Sequence, residues 1–154
     1  MDDVAKELKI SKKTIYQFFH TKEEIFYYIS RRIASEYRLY MEQKLADIPT
    51  FQEKLTALLK MIIAESKKWL ALKDNLEYKF KTDMVSLALP DAYNELLKKL
   101  IVQGIESGEF GEIPVDITVR FIDGLIGESL KILYASPKIN VEDDLIRAVF
   151  KLVS

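Results

Sequence analysis

Apolar positions recur at three- and four-residue steps along most of this chain, and nothing after Phe26 shows the two-residue alternation of a strand. The N-terminal pattern is short. Ala5 and Leu8 mark a brief amphipathic segment that Lys9-Ile10 interrupts. Ser11 can cap a following helix through its hydroxyl, and Ile10 and Ile15 have the spacing of a hydrophobic staple around that cap. A second helix is therefore predicted from Lys12 to about Phe19. Thr21 with Glu24 forms a capping box that opens a third. Ile25, Ile29, Ile33, Tyr37, Met41 and Leu45 keep one slowly drifting face on it, and it is expected to end near Asp47, before Pro49. Its length, ~40 Å at about 1.5 Å per residue, is enough to join a small head to a separate body.

The remainder reads as further helices. Thr50 and Glu53 form a second capping box, followed by Leu55, Leu58, Leu59, Ile62 and Ile63 in a helix reaching about Leu70. A helix from about Asp74 to Leu87 is expected to break at Leu89-Pro90-Asp91. The next carries Tyr93, Leu96, Leu97, Leu100 and Ile101, and Gly108 ends it as a C′ glycine. Asp116 is read as the cap of a helix through Tyr134, and Asn140 as the cap of the last. These two closing helices are apolar over more than one face. Gly124 and Gly127 would let another helix come close, at about 1 kcal/mol each in helix propensity. The fold class is all-α: an N-terminal helix-turn-helix head with its linker helix over residues 1–45, and a larger helical body over 46–154.

Charge marks the head. No acidic residue lies between Lys9 and Lys22, a stretch that also holds Lys12 and Lys13. Residues 1–45 carry nine Lys/Arg against seven Asp/Glu, whereas the rest carries 14 against 17. A basic patch on a helix-turn-helix draws phosphates by releasing counterions. Other chemistry is poorly supplied. There is no cysteine and a single histidine, His20, so neither a disulfide nor a multi-His metal site is available. There is no glycine-rich phosphate loop, and the acidic groups 106/109/112 and 142–144 fit helix ends and loops. No catalytic residue and no cofactor is indicated. No run of about 18 apolar residues exists to span a membrane, so the cytoplasm is the expected location.

The segment "ISKKTIYQFFHTKEEIF" resembles the DNA-binding signature of the tetracycline-repressor (TetR) family of bacterial regulators. Ser11, Thr14, Ile15, Tyr16, Phe19, Thr21, Lys22, Glu23 and Glu24 carry the likeness, and Phe18 departs from the usual Tyr or His. The resemblance implies that Thr14, Tyr16 and Lys22 touch phosphates. It implies that Lys12, Lys13 and Gln17 face bases or backbone. In that family three helices precede the linker helix, and "MDDVAKEL" resembles the start of the second. About 20 residues of an amphipathic first helix are thus expected before Met1, and without them Val4, Leu8, Ile15 and Phe19 would be uncovered.

The resemblance also implies a body with an inducer pocket and a homodimer built from the last two helices. Trp69, Tyr78, Phe80, Met84, Tyr93 and Phe121 are candidate pocket-lining residues, suited to an apolar or amphipathic small molecule. The expected function is a ligand-responsive repressor that binds a pseudo-palindromic operator on double-stranded DNA as a homodimer. The rival is a helical ligand-binding and dimerisation module that has lost DNA binding. An all-α enzyme is a remote third, opposed by the lack of a convergent acid, base or metal set.

Overall fold

The computed structural model describes the backbone of residues 2–71, 78–136 and 138–154, and the side chains of these apart from residues 3, 4, 26, 30, 68–71, 78–89 and 91. Seven helices follow one another: α1 (Asp2–Glu7), α2 (Lys12–Phe18), α3 (Lys22–Leu45), α4 (Phe51–Ala71), α5 (Tyr78–Glu106), α6 (Val115–Ala135) and α7 (Glu142–Val153). No strand occurs among the described residues.

Local signals set the head. α1 stops because Lys9 takes a left-handed φ of 53°. The Lys9 N–H then donates to the Lys6 carbonyl at 3.2 Å, and the Ile10 N–H to the Ala5 carbonyl at 3.0 Å. This is the double closure of a Schellman turn, made at a residue where glycine would be unstrained. Ser11 caps α2 by accepting from the Thr14 N–H at 3.0 Å. Thr21 caps α3 by accepting from the Glu24 N–H at 3.1 Å. The reciprocal bond of that box shifts by one residue, since the Glu24 carboxylate accepts from the His20 N–H at 2.6 Å.

α5 is the central element of the body and packs on α3, α4 and α6, while α7 packs on α4 and α6. Its core joins Leu55, Leu58, Leu59, Ile62 and Ile63 of α4 to Leu97 and Ile101 of α5, Ile122, Ile126 and Leu133 of α6, and Val149 of α7, all essentially without solvent contact. Met41 and Leu45 at the end of α3 belong to the same core.

The expected break at Pro90 does not occur, because α5 runs through it. Proline inside a helix loses one hydrogen bond and strains the preceding turn, at about 3 kcal/mol. Ala92, Tyr93, Leu96, Leu97, Leu100 and Ile101 are buried just beyond it. At roughly 1.5–3 kcal/mol for each large side chain, that burial outweighs the local cost of a continuous helix. The expected start at Asp74 lies outside the described residues.

Gly108 is the C′ residue of α5, with φ 77°. Its N–H donates to the Ile105 carbonyl at 3.0 Å, and the Glu109 N–H to the Gly104 carbonyl at 2.9 Å, which completes a second Schellman turn. Two other caps sit two residues and one residue, respectively, from the expected positions. Pro114 holds the cap position of α6, and Asp116 lies inside the first turn, paired with Lys98 of α5 at 2.7 Å. Val141 holds the cap position of α7, while Asn140 before it accepts from the Glu142 N–H at 3.2 Å. Both side chains still serve a helix start, since a negative charge or acceptor is favourable anywhere in the first turn.

Candidate DNA-binding head and ligand-binding body

α2 is seven residues long and buries one of them, Ile15. Successive helical residues advance by about 100°, so Lys13 and Gln17, two positions to either side of Ile15, point away from the packed face. Both are exposed, as are Lys12, Tyr16 and Lys22. Thr14 is half-buried and its hydroxyl lies 2.8 Å from that of Ser11. Lys12 is three positions from Ile15 and turns back towards α1, where it forms an ion pair with Asp2. That bond holds the Asp2 carboxyl below the usual carboxylate range. The six candidate DNA contacts thus divide. Lys13, Tyr16, Gln17 and Lys22 project freely, Thr14 braces the turn, and Lys12 is shared with an acid that a phosphate would have to displace.

Phe18 is 73% exposed, so it projects beside these groups as an apolar tip. Of the side chains expected to be uncovered, Leu8 is exposed. Ile15 is buried, because α1 and α2 pack on each other, and Phe19 is half-buried with its ring 5.7 Å from that of Tyr28. The Val4 side chain lies outside the described residues.

The upper part of α3 presents Tyr27, Tyr28, Ile29 and Ile33 to solvent, while Ala34, Met41 and Leu45 lower down are buried. Tyr37 stands at this change of environment. Its hydroxyl donates to the Met61 carbonyl of α4 at 3.4 Å. Burial first, and then the Glu65 charge, raise the Tyr37 hydroxyl well above its ordinary pKa. Periodicity marks Tyr37 only as one apolar position in six; its polar end is not legible there.

Of the candidate pocket residues, the side chains of Trp69, Tyr78, Phe80 and Met84 lie outside the described residues. Tyr93 is buried and donates to Asp123 Oδ1 at 2.6 Å, joining α5 to α6. Burial, and then this carboxylate, push its hydroxyl far above the ordinary range. Phe121 does not join it. It lies two residues from Asp123 on α6, hence on nearly the opposite side of that helix, and is 56% exposed. The sequence pattern shows an apolar residue at 121 but not which neighbour that face would meet. The Asn94 Oδ1 atom is buried without a hydrogen-bond partner. A groove of about 670 Å³ that the sequence does not suggest runs along the outside of α4, between Ile48, Pro49, Ala57, Lys60 and Phe150.

Ile117, Phe121, Gly124 and Glu128 follow at three- and four-residue steps on α6, with Ile132 one turn on. All are exposed. A Cβ placed on Gly124 or Gly127 would meet nothing within 4 Å, so neither glycine serves packing inside the chain. Gly104 differs, because a Cβ there would lie 2.1 Å from the Phe110 ring.

No described helix is long and apolar enough to cross a membrane. No cluster of three or more metal-ligating side chains is found among the described residues.

Comparison with known proteins agrees with this geometry. Residues 1–29 match the family described as bacterial regulatory proteins, tetR family. The chain is 27% identical over 137 residues to the fatty acid metabolism regulator protein of Bacillus subtilis (strain 168), an alignment covering 82% of this chain and 69% of that protein. Its fold matches the crystal structure of the transcriptional regulator FadR from Bacillus subtilis in complex with stearoyl-CoA. The TM-score is 0.70 at 20% identity, over 99% of this chain and 88% of that one. The first 29 residues thus carry the signature of the tetR family of bacterial regulatory proteins, on a helical body that shares its fold with a transcriptional regulator.

Proposed function

We propose that this chain is a cytoplasmic transcriptional repressor that binds a pseudo-palindromic operator as a homodimer and is released by a long-chain acyl-CoA. One observation carries the reading. The basic helix-turn-helix of residues 1–29 stands on a body that shares its fold with a regulator crystallised with stearoyl-CoA. Residues 1–45 act as the DNA-reading head and 46–154 as the ligand-binding and dimerisation body. Lys13 and Gln17 face base edges, and Lys12 adds a contact to bases or backbone once it leaves Asp2. Thr14, Tyr16 and Lys22 hold phosphates, which fix register without reading sequence. Two such heads enter successive major grooves about 34–36 Å apart.

Dimerisation uses α6 and α7. The uncovered α6 stripe around Phe121, and the open space over Gly124 and Gly127, support this, since small residues admit a close helix. The body takes the acyl chain, and Trp69, Tyr78, Phe80, Met84 and Tyr93 remain the candidate contacts that the family resemblance implies. The unpartnered Asn94 Oδ1 offers an acceptor to an amide N–H of the pantetheine arm, because a buried acceptor left without a donor is costly.

Selection of bound sequences from random duplex DNA tests the reading. An enriched inverted repeat, displaced on adding stearoyl-CoA, is the expected result. A folded dimer that enriches no sequence would instead establish the module without DNA binding.

A further inference from the structure

No acidic residue lies between Lys9 and Lys22 in the sequence, yet the fold brings one to that stretch. Asp2, the first residue of α1, forms an ion pair with Lys12, the first residue of α2. No helical spacing joins these two positions. The pair follows from how the helices meet: α1 and α2 pack on each other, and Lys12 leaves α2 on the side that faces α1.

Other acids of the head are placed differently. The Glu24 carboxylate accepts from the His20 N–H at 2.6 Å, in the turn before α3. Glu36 pairs with Arg32 at 3.0 Å further along α3. Glu7 is exposed at the far end of α1 from Asp2. Asp2 is the acid set against a cation of α2.

The pair is open to water, with the Lys12 side chain 48% exposed and that of Asp2 79%. Exposed ion pairs are weak, so this one can be exchanged for another anion. A phosphate that reaches Lys12 must first displace the Asp2 carboxylate. It then lies within a Debye length of that charge, about 8 Å at physiological salt, and is repelled by it. Both effects count against DNA. They persist at neutral pH, because the bond from Lys12 holds the Asp2 carboxyl below the usual carboxylate range.

We propose that Asp2 is an internal anion that competes with DNA for Lys12, and so lowers the affinity of the head for DNA of any sequence. Asp2 is a positioning residue: it acts through Lys12 and contacts neither base nor phosphate. The inference rests on the DNA-binding reading above. Phosphate contacts supply binding that ignores sequence, so one masked cation in each head limits that binding directly.

The test measures the affinity of the full chain for a random-sequence duplex over a series of salt concentrations, and needs neither operator nor ligand. Asp2→Asn should bind roughly threefold more tightly per head, hence about tenfold for a dimer with two heads. The slope of log affinity against log salt should steepen by about 1 per head, as one more phosphate is neutralised. Asp2→Glu, which keeps the charge, should retain the native affinity and slope. Lys12→Ala should cost more in the Asp2→Asn background than in the native chain, the mark of a shared interaction in a double-mutant cycle. Glu7→Gln removes the same charge from the same helix, away from Lys12, and should change affinity by less than about twofold. Equal effects of Asp2→Asn and Glu7→Gln would reduce Asp2 to its net charge and overturn the proposal. Additive effects of Asp2→Asn and Lys12→Ala would also overturn it, while leaving the DNA-binding reading intact. If neither the native chain nor Asp2→Asn binds any duplex, the DNA-binding reading fails, and the competition with it.

Discussion

Replacing Phe121 by Lys tests the proposed homodimer, on which the proposed operator binding depends. The Phe121 side chain is 56% exposed in the single chain. Full burial of such a side chain contributes about 3 kcal/mol, so roughly half of that remains to be gained in an interface. A two-fold interface contains the residue twice, which brings the loss in Phe121→Lys to about 3 kcal/mol. At 1.4 kcal/mol per tenfold, the dimer should be weakened by about 100-fold. This is a lower figure, because two lysines brought face to face would also repel. Phe121 contributes little to the fold of the single chain, so circular dichroism should be unchanged. Sedimentation equilibrium measures the dimer constant directly, and Phe121→Leu serves as the apolar control. If Phe121→Lys leaves that constant within threefold of wild type, α6 does not form the interface, and the open faces of Gly124 and Gly127 have another cause.

Tyr93→Phe removes the donor to Asp123 and should cost about 1.5–3 kcal/mol at neutral pH, visible as a melting temperature lower by roughly 3–10 °C. The native Tyr93 hydroxyl titrates above its unfolded value of about 10. Its contribution is therefore complete below pH ~10 and is lost as pH rises beyond that, so the variant should show a shallower alkaline fall in denaturant stability. An identical alkaline slope would contradict the assignment. Lys22→Ala should weaken binding to all duplexes alike and reduce the salt slope by about 1, whereas Gln17→Ala should change the selected bases; an unaltered preference would remove Gln17 from the base contacts. Gly104→Ala drives a methyl into the buried Phe110 ring and should lower stability by about 1–3 kcal/mol in urea titration, while Gly124→Ala should not destabilise the isolated chain.

Much of the head is legible in the sequence because its signals are short in range. The Ser11 and Thr21 caps and the break after α1 each operate within five residues, where sequence spacing and spatial distance are the same thing. The basic run from Lys9 to Lys22 and the family signature belong to that segment, so the candidate DNA contacts follow from residue order alone. The same locality identifies Gly108 as the end of α5. Helix succession along the body follows from periodicity, since burial of one stripe is what periodicity records.

Only tertiary packing decided the rest. Pro90 reads as a break by local rules, yet α5 continues because the buried residues after it gain more from one helix axis than the proline loses. Periodicity shows that Phe121 is apolar but not whether α5 or a second chain covers it, and the direction of Asp123 towards Tyr93 settles that it faces outward. Tyr37 donates to the Met61 carbonyl from 24 positions away, and Gln52 of α4 donates to Glu109 from 57 residues away. Such polar pairs leave no periodic trace, because a single hydrogen bond needs one residue at each end and no repeat. The sequence by itself therefore determined the helices and caps of the head and its basic character, all set by near neighbours. The tertiary structure decided which polar tips meet and which apolar face stays open, because those depend on how the helices pack.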